Sequence, residues 1–507
     1  MLKNKIRLAY CSLIISFINL VLYHFPFFKF ASNNLDYNSL DGILTFISVA
    51  FLLLILNALI FYIGLFVSRF IGKLLLILFF NINAIALYFI NTYGIIIDKT
   101  MIGNIINTNI EESTSFMSFG LLIYLILLGV IPSTLIFNIQ VSKVKFKKFF
   151  SHIVLAFFFV LTFIYINSSS WLWIDKHSKA LGGLVMPWSY IVNTSRLYIH
   201  KSEENKQQIL LPNATILNGE KSIVVLVIGE SARSENFSLY GYEKNTNPLL
   251  SNMDNVNSYK AKSCSTYTTA GVKCILDHKE TSDLYEILPN YLSRNGVDVI
   301  WRTTNWGEPK VTFEHYLKRS DLEQLCQGDS CAYDEVLISG LKTQLLLSKK
   351  EKMLIVLHTS TSHGPTYYKK YPERFNEFTP VCKNVELGKC TQEELINAYD
   401  NTILYTDYIL ASLIEQLKEL DGFSSTMFYV SDHGESLGEN NLYMHGIPAS
   451  IAPKEQLEIP FIVWLSDNAK ELRENKRLSQ HHVFHSVLDF LAIDSPVYDE
   501  NMSIFKQ

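Results

Sequence analysis

Two stretches of this sequence place metal-binding side chains directly after an apolar run. Residues 223–228 lead into Glu230, and residues 426–430 lead into Asp432 and His433. Apolar runs of this length are typical of buried strands, and ligands of open α/β sheets bind beyond the carboxyl ends of the strands. Two carboxylates and one imidazole form a ligand set that suits Zn²⁺ or Mn²⁺. We therefore expect these three residues to bind a metal ion with a fourth position open.

Hydroxyl side chains crowd a third stretch, residues 262–274, at the start of a predicted helix. The backbone N–H groups of a helix N-terminus favour a phosphate, and a divalent metal can activate a hydroxyl as a nucleophile. One hydroxyl from this stretch would complete the metal site. The alternative is a helix-capping cluster without chemistry. The hydroxyl-bearing candidates are Ser263, Ser265, Thr266, Thr268 and Thr269.

Three histidines gather near predicted strand ends, in or beside loops that contain Gly or Pro. They are His358, His363 and His445. A single His on a strand is more often a hydrogen-bonded core residue than a ligand, but three together favour at least two in the site. The histidines within residues 481–485 lie on a predicted helix, where we expect structural or surface roles.

The strands that must position these residues alternate with helical patterns. Apolar runs at 223–228, 297–301, 353–357, 426–430 and 461–465 predict strands, and residues 393–420 show helical spacing. This alternation predicts an α/β domain with a mainly parallel sheet covered on both faces.

The first third of the chain is too apolar for a soluble enzyme. The 507 residues are 49% hydrophobic and 18% charged, and most of the apolar excess precedes residue 170. Apolar stretches at 8–28, 43–67, 71–90, 121–137 and 153–166 predict five membrane spans, since about 20 residues cross the hydrocarbon layer. The first stretch lacks a small-residue cleavage site, which argues against a signal peptide. The net charge of -4 gives no reason to expect nucleic acid as a partner.

Basic residues predict the orientation of the spans. Lys3, Lys5 and Arg7 precede the first span, and further Lys and Arg residues lie between spans two and three and between spans four and five. By the positive-inside rule these loops are cytoplasmic, which places everything after residue 168 outside the cytoplasm. We expect a transmembrane domain at 1–168, an amphipathic interfacial connector at 169–215 and a periplasmic catalytic domain at 216–507.

Six of the seven cysteines lie in the predicted exported domain. An even number there indicates three disulfides, and six cysteines allow 15 pairings. A zinc ribbon is the alternative, but the spacings lack the repeated short pairs of such a site. We favour the local pairing, which closes three short loops: Cys264 with Cys274, Cys326 with Cys331, and Cys382 with Cys390.

Three polar residues of the predicted outer loop, Asn104, Thr108 and Glu112, are spaced four apart. On a helix this spacing places them on one face. That face is either a solvated surface or a contact with a lipid head group, and the spacing favours neither.

Taken together, these residues resemble the phosphoethanolamine transferases of the Gram-negative envelope, the lipid A-modifying group that includes the colistin-resistance enzymes, within the alkaline phosphatase superfamily. The resemblance covers the five spans and the catalytic domain, and implies the alkaline-phosphatase/sulfatase-like fold. It implies that Glu230, Thr268, Asp432 and His433 bind Zn²⁺. Thr268 lies four residues after Cys264 and six before Cys274, as the nucleophilic Thr of the family does. Thr266 is the alternative, because this motif departs from the family pattern.

The resemblance also implies the substrate contacts. Asn104, Thr108 and Glu112 correspond to residues that contact phosphatidylethanolamine. Lys310 corresponds to a binding-site Lys, although its spacing from Asn305 differs by one from the family pattern. His363 and His445 correspond to residues that bind the head group or a second zinc.

The expected function is transfer of phosphoethanolamine from phosphatidylethanolamine to lipid A or another envelope acceptor, through a covalent intermediate on Thr268. The alternatives are a glycerophosphate transferase of the lipoteichoic acid synthase type and a non-catalytic, membrane-anchored scaffold. We expect a monomer in the bacterial inner membrane that confers polymyxin resistance, and the site residues do not distinguish among acceptors.

Overall fold

The computed structural model describes residues 5–35, 37, 40–108, 110–166, 173–174, 176–204, 208–466, 470–474 and 477–506. By its internal contacts the chain divides into two units, residues 1–108 with 117–200, and residues 109–116 with 201–507. The predicted boundary at residues 168 and 169 lies outside the described residues, so it stays a prediction.

The first unit consists of apolar helices. Its described part contains four helices that are long and apolar enough to cross a membrane, and a bent pair makes up to five. This agrees with the predicted N-terminal spans, except that the first predicted span is bent by 67° between its two helices. The helices are α1 (Leu8–Tyr23), α2 (Phe25–Asn34), α3 (Leu40–Val67), α4 (Arg69–Tyr93), α5 (Lys99–Asn107), α6 (Ile110–Ser115, in the second unit), α7 (Phe119–Tyr124), α8 (Ile131–Asn138), α9 (Phe146–Ile166), α10 (Ser178–Leu184) and α11 (Trp188–Glu204).

The helix from α7 to α8 contains a π-helical turn, Leu125–Val130. Pro132 lies in the first turn of α8. Proline has no backbone N–H and cannot continue the regular hydrogen-bond ladder, which accounts for the wider turn before it. Gly129 lies in this turn against α4, where an added Cβ would be 2.7 Å from Asn81 Oδ1.

Amide side chains buried within the first unit make hydrogen bonds between helices. Asn83 Nδ2 donates to Asn19 Oδ1 over 2.9 Å, and Trp188 Nε1 donates to Asn57 Oδ1 over 2.6 Å. Polar groups in an apolar layer must find internal partners, so these bonds hold the helices in one arrangement.

The second unit is built on an eight-stranded sheet with the order β11-β3-β10-β7-β2-β6-β4-β5. Its central neighbours β7, β2, β6 and β4 are parallel, and β10 is antiparallel to both β3 and β7. The strands are β1 (Thr215–Ile216), β2 (Ser222–Gly229), β3 (Val256–Lys262), β4 (Asp298–Thr303), β5 (Tyr316–Lys318), β6 (Lys352–His358), β7 (Ser424–Ser431), β8 (Ser436–Leu437), β9 (Tyr443–Met444), β10 (Glu458–Leu465), β11 (Leu478–Ser479) and β12 (Ile493–Asp494).

All five predicted strands are present, as β2, β4, β6, β7 and β10. Every residue of β2 is buried, because both faces of the parallel sheet are covered. The helices of this unit are α12 (Thr268–Leu276), α13 (Leu288–Arg294), α14 (Arg319–Leu322), α15 (Leu341–Leu347), α16 (Gln392–Lys418) and α17 (His482–Phe490). A capping box of Thr391 and Glu394 begins α16 where helical spacing predicted a helix.

Three disulfides close local loops in the second unit. They join Cys264 to Cys274, Cys326 to Cys331, and Cys382 to Cys390, the local pairing expected above. Cys11 is free and buried in α1.

The contact at Gly129 generates a stability prediction. Gly129→Ala places a Cβ against Asn81, so we expect it to lower the free energy of unfolding by about 1–3 kcal/mol through overpacking. Gly64→Ala in α3 is the matched control, since an added Cβ there has no heavy atom within 4 Å. The measurement is thermal unfolding of the purified full chain in detergent. Equal midpoints for the two variants would contradict the close packing of these helices.

Candidate active site

The ends of β2 and β7 bring Glu230 and Asp432 together. These two strands pair in parallel up to Gly229 opposite Ser431, and the N–H of Asp432 donates to the carbonyl of Gly229 over 2.9 Å. Each acidic residue is therefore the first one beyond its strand. Both are buried, with Glu230 1% and Asp432 0% exposed.

Ser231 holds the two carboxylates in place. It has a φ of 52°, in the left-handed region that a non-glycine residue rarely adopts. In this conformation its N–H donates to Asp432 Oδ1 over 3.1 Å, and its hydroxyl donates to Glu230 Oε1 over 2.7 Å. The strained turn thus links both carboxylates through one residue.

His433 completes a group that is suited to a cation. Its Nε2 lies 3.6 Å from Glu230 Oε1 and 3.4 Å from Asp432 Oδ2. Among the described residues, neither His433 Nε2 nor Asp432 Oδ2 has a hydrogen-bond partner, although both atoms are buried. Ligand atoms of Glu230, His433 and His445 also lie within 4.8 Å of one another. Buried polar atoms without partners are costly, so this set fits a bound metal ion such as Zn²⁺.

The electrostatics of the site also favour a bound cation. Burial and the neighbouring Glu230 raise the pKa of Asp432 well above its usual range. Burial also raises the pKa of Glu230, but His363, His433, His445 and the Ser231 hydroxyl outweigh it and lower that pKa overall. Burial lowers the pKa of His433 to about 4, which leaves a neutral imidazole of the kind that binds metals.

Thr268 is the first residue of α12 and faces Glu230. It is 4% exposed, and its hydroxyl donates to Glu230 Oε2 over 3.5 Å. The helix is held close to Asp432 at Gly271, where an added Cβ would lie 2.3 Å from the carbonyl oxygen of Asp432. The Thr266 hydroxyl instead donates to the carbonyl of Ile447 over 2.6 Å. Thr268 is therefore the hydroxyl that this geometry brings to the carboxylates.

The two predicted substrate histidines lie beside this group. The ring centroid of His445 lies 4.3 Å from the ring centroid of His433 and 5.3 Å from that of His363. His445 Nδ1 is 2.7 Å from Glu435 Oε2. Burial lowers the pKa of His445, but Glu435 outweighs it and the net result is a pKa of about 9. The Glu435 carboxylate therefore favours the protonated form of His445.

Asn305 and Glu435 contribute to the site beyond the residues expected from the sequence. Asn305 Nδ2 donates to Glu230 Oε2 over 2.6 Å and to the carbonyl of Thr359 over 2.8 Å. Glu435 is fully buried and also accepts from Tyr367 over 2.6 Å. Because Glu435 follows His433 by only two residues, its place at the site could have been predicted from the sequence. Asn305 lies in a loop whose path only the tertiary structure defines.

His358 ends β6 at the same edge of the sheet. It is fully buried, and its Nδ1 lies 3.5 Å from the Thr303 hydroxyl and 3.7 Å from Glu308 Oε2. His358 Nε2 has no hydrogen-bond partner in the described part of the chain. Lys310, by contrast, is exposed, and its carbonyl accepts from Asn290 over 2.8 Å.

The spacing of the three outer-loop residues predicted that they lie on one helix. That prediction is wrong. Helix α5 ends at Asn107 and α6 begins at Ile110. The N–H and the hydroxyl of Thr108 both donate to the carbonyl of Asn104, each over 2.8 Å, and Thr108 caps α5 in a non-helical conformation. The side chain of Glu112 lies outside the described residues. A lipid contact of these three residues stays a prediction.

Comparisons with known proteins agree with this fold. A family described as Sulfatase matches residues 222–493, and a family described as Phosphoethanolamine transferase EptA/EptB matches residues 53–202. Phosphoethanolamine transferase EptA of Helicobacter pylori is 40% identical over 97% of this chain and 96% of its own. Phosphatidylethanolamine transferase Mcr-1 of Escherichia coli is 33% identical over 78% of this chain and 79% of its own.

Solved structures give the same result. The integral membrane lipooligosaccharide phosphoethanolamine transferase A (EptA) from Neisseria meningitidis superposes with a TM-score of 0.87 at 27% identity, over 98% of each chain. The fold is that of the alkaline phosphatase superfamily. Within that superfamily, the chain belongs to the EptA family of phosphoethanolamine transferases. Its apolar helices and its family make it an inner membrane protein.

The buried cluster generates a metal-binding prediction. Asp432→Asn replaces a carboxylate by a neutral amide, so we expect zinc affinity to fall by about tenfold or more. Asp407→Asn is the matched control, because Asp407 is also a buried carboxylate but accepts from the backbone N–H groups of Leu249 and Leu250. The measurement is zinc content of the purified full chain after dialysis against buffered zinc. Unchanged zinc content in Asp432→Asn would exclude Asp432 as a ligand.

Proposed function

We propose that this chain transfers phosphoethanolamine from phosphatidylethanolamine to lipid A through a phosphoethanolamine-threonine intermediate on Thr268, with Zn²⁺ as cofactor. The observation that supports this most is the Thr268 hydroxyl directed at Glu230 within a buried cluster of metal-ligand side chains. The names of the EptA and Mcr-1 relatives support the group that is transferred.

The proposed zinc ligands are Glu230, Thr268, Asp432 and His433. When bound, zinc would supply a Lewis acid that polarises the phosphoryl oxygen and lowers the pKa of the Thr268 hydroxyl. The roles of His363 and His445 decide the number of metal ions. The site holds two zinc ions if these histidines bind a second one, and one zinc ion if they contact the substrate instead.

In the first step, Thr268 Oγ1 loses its proton to solvent and forms a bond to phosphorus. The bond between phosphorus and the diacylglycerol oxygen breaks, and that oxygen takes a proton. His445 would donate it where this ring contacts the substrate, since the Glu435 carboxylate 2.7 Å from Nδ1 favours the protonated ring. Diacylglycerol then leaves.

In the second step, a phosphate oxygen of lipid A attacks the same phosphorus. The bond from phosphorus to Thr268 Oγ1 breaks, and solvent returns one proton to Oγ1 and one to His445. Lys310 and His363 would stabilise the negative charge of the phosphoryl oxygens in both steps. Asn305 keeps the Glu230 carboxylate in position throughout, through its 2.6 Å hydrogen bond.

The membrane helices confine the enzyme and its lipid donor to one surface. We propose that Asn104, Thr108 and Glu112 contact the phosphatidylethanolamine head group. We also propose that the N-terminus is cytoplasmic, that the catalytic unit is periplasmic and that the protein is a monomer. The domain boundaries after residues 168 and 215 belong to the same proposal. The relatives found do not favour the glycerophosphate or scaffold alternatives.

The covalent step can be tested by mass spectrometry of the full chain in detergent after incubation with phosphatidylethanolamine and Zn²⁺. We expect a phosphoethanolamine adduct on the peptide that contains Thr268, and none in Thr268→Ala. Thr266→Ala is the matched control and should keep the adduct, because its hydroxyl is bonded to Ile447. An adduct that persists in Thr268→Ala, or no adduct on any hydroxyl in residues 263–269, would refute the mechanism.

A further inference from the structure

The turn that follows β2 is both strained and buried. Ser231 has a left-handed φ of 52°, and Ser231 and Arg233 are 0% and 5% exposed. A non-glycine residue in this conformation is disfavoured, and it persists only where its surroundings hold it. The carboxylates of Glu230 and Asp432 depend on the turn, because Ser231 donates a hydrogen bond to each of them. The contacts that hold the turn therefore affect the proposed metal centre.

Tyr399 of α16 makes two of these contacts through one hydroxyl. The hydroxyl donates to the carbonyl of Ser231 over 2.7 Å and accepts from the N–H of Arg233 over 3.0 Å. It thus spans the two peptide groups that follow the strained residue. On the other side of the turn, the N–H of Ala232 donates to Ser431 Oγ of β7 over 2.9 Å. The turn is therefore held between a helix and a strand.

The ring of Tyr399 is fixed by its own packing. Tyr399 is 0% exposed, and its ring centroid lies 5.5 Å from that of Tyr367 in an edge-to-face arrangement. The guanidinium carbon of Arg233 lies 5.8 Å from the ring centroid of Tyr399. Both arrangements are favourable for aromatic rings. Helix α16 is 27 residues long and begins with a capping box, so it presents this hydroxyl from a rigid element.

Loss of the hydroxyl would leave two buried backbone groups without the partner that they share. Buried N–H and C=O groups without partners are costly, so the turn would rearrange to satisfy them. Ser231 would then leave the left-handed conformation, since nothing would offset its strain. Its N–H and its hydroxyl would no longer point at the carboxylates of Asp432 and Glu230.

We propose that Tyr399 is a positioning residue for the metal centre. Its hydroxyl keeps Ser231 in the conformation that orients Glu230 and Asp432, and it acts through Ser231 rather than on the substrate. This inference rests on the proposed function, because it takes Glu230 and Asp432 as zinc ligands.

Tyr399→Phe tests the proposal, because it keeps the buried ring and removes only the hydroxyl. We expect the Kd for zinc to rise about tenfold, as for other residues that orient metal ligands. Tyr240→Phe is the matched control. The Tyr240 hydroxyl also donates to a backbone carbonyl, that of Tyr259, and accepts from a backbone N–H, that of Phe461, each over 3.0 Å, but it bridges β3 and β10.

The measurement is competition for zinc between a chelator of known affinity and the purified full chain in detergent. We expect both variants to lower the thermal unfolding midpoint of the zinc-free protein, since each loses a hydroxyl that bridges two backbone groups. Only Tyr399→Phe should weaken zinc binding. A Kd for zinc equal to that of the wild type in Tyr399→Phe would overturn the proposal.

A second substitution shows whether Tyr399 acts through the strained residue. Ser231→Gly keeps the N–H that donates to Asp432, and glycine adopts a left-handed φ without strain. In the Ser231→Gly background we expect Tyr399→Phe to raise the Kd for zinc only about two- to threefold, because the turn then needs less support. A tenfold rise in both backgrounds would refute an action through the conformation of Ser231.

Hydrogen exchange separates this inference from the proposed function. In the zinc-free full chain, we expect the peptide that covers residues 230–233 to exchange faster in Tyr399→Phe than in the wild type or in Tyr240→Phe. Unchanged exchange in Tyr399→Phe would refute the role of Tyr399, whether or not the Thr268 adduct forms. A wild type that binds no zinc would refute the proposed cofactor, while the exchange measurement would still decide whether Tyr399 holds the turn.

Discussion

Two carboxylates buried side by side are the constraint on which the rest of this structure depends. The parallel pairing of β2 with β7 ends at Gly229 and Ser431, so Glu230 and Asp432 cannot move apart without breaking the sheet. A buried pair of negative charges is unfavourable unless a cation or a proton neutralises it. The surroundings supply donors from Ser231 and Asn305 and leave two buried ligand atoms open. The carboxyl edge of the central strands is thus suited to a cation.

The strands that the sequence predicts are those whose residues are nearly all buried. The central strands are buried on both faces and therefore read as continuous apolar runs. Strand β3 is not predicted by an apolar run, because most of its residues are partly or fully exposed and its sequence is polar. The spacing of residues 104, 108 and 112 suggested one helix, but Thr108 adopts a non-helical backbone conformation and α5 ends there. Helical spacing alone does not reveal such a local break.

A similar distinction explains how much of the site could be predicted. Glu230, Asp432 and His433 follow their strands directly, so adjacency in sequence is enough to place them together. His445 lies in a loop, and its closeness to His433 depends on how β8, β9 and the following residues fold back. The need for a glycine at position 271 is likewise seen only in the structure. Without a side chain there, α12 can approach the carbonyl of Asp432. Residues that act through tertiary contacts leave little local signal.

The metal cluster cannot by itself define the acceptor. Both steps of the proposed reaction occur at one phosphorus atom, and Glu230, Asp432 and His433 would act on it identically for any attacking oxygen. Discrimination between acceptors must come from side chains farther from Thr268, where the acceptors differ in shape and charge. Gln480 donates to the backbone carbonyl of Asp432 and also borders a cavity that none of the proposed zinc ligands lines. In the proposed reaction, side chains at this distance from phosphorus can differ without changing the groups that act on it.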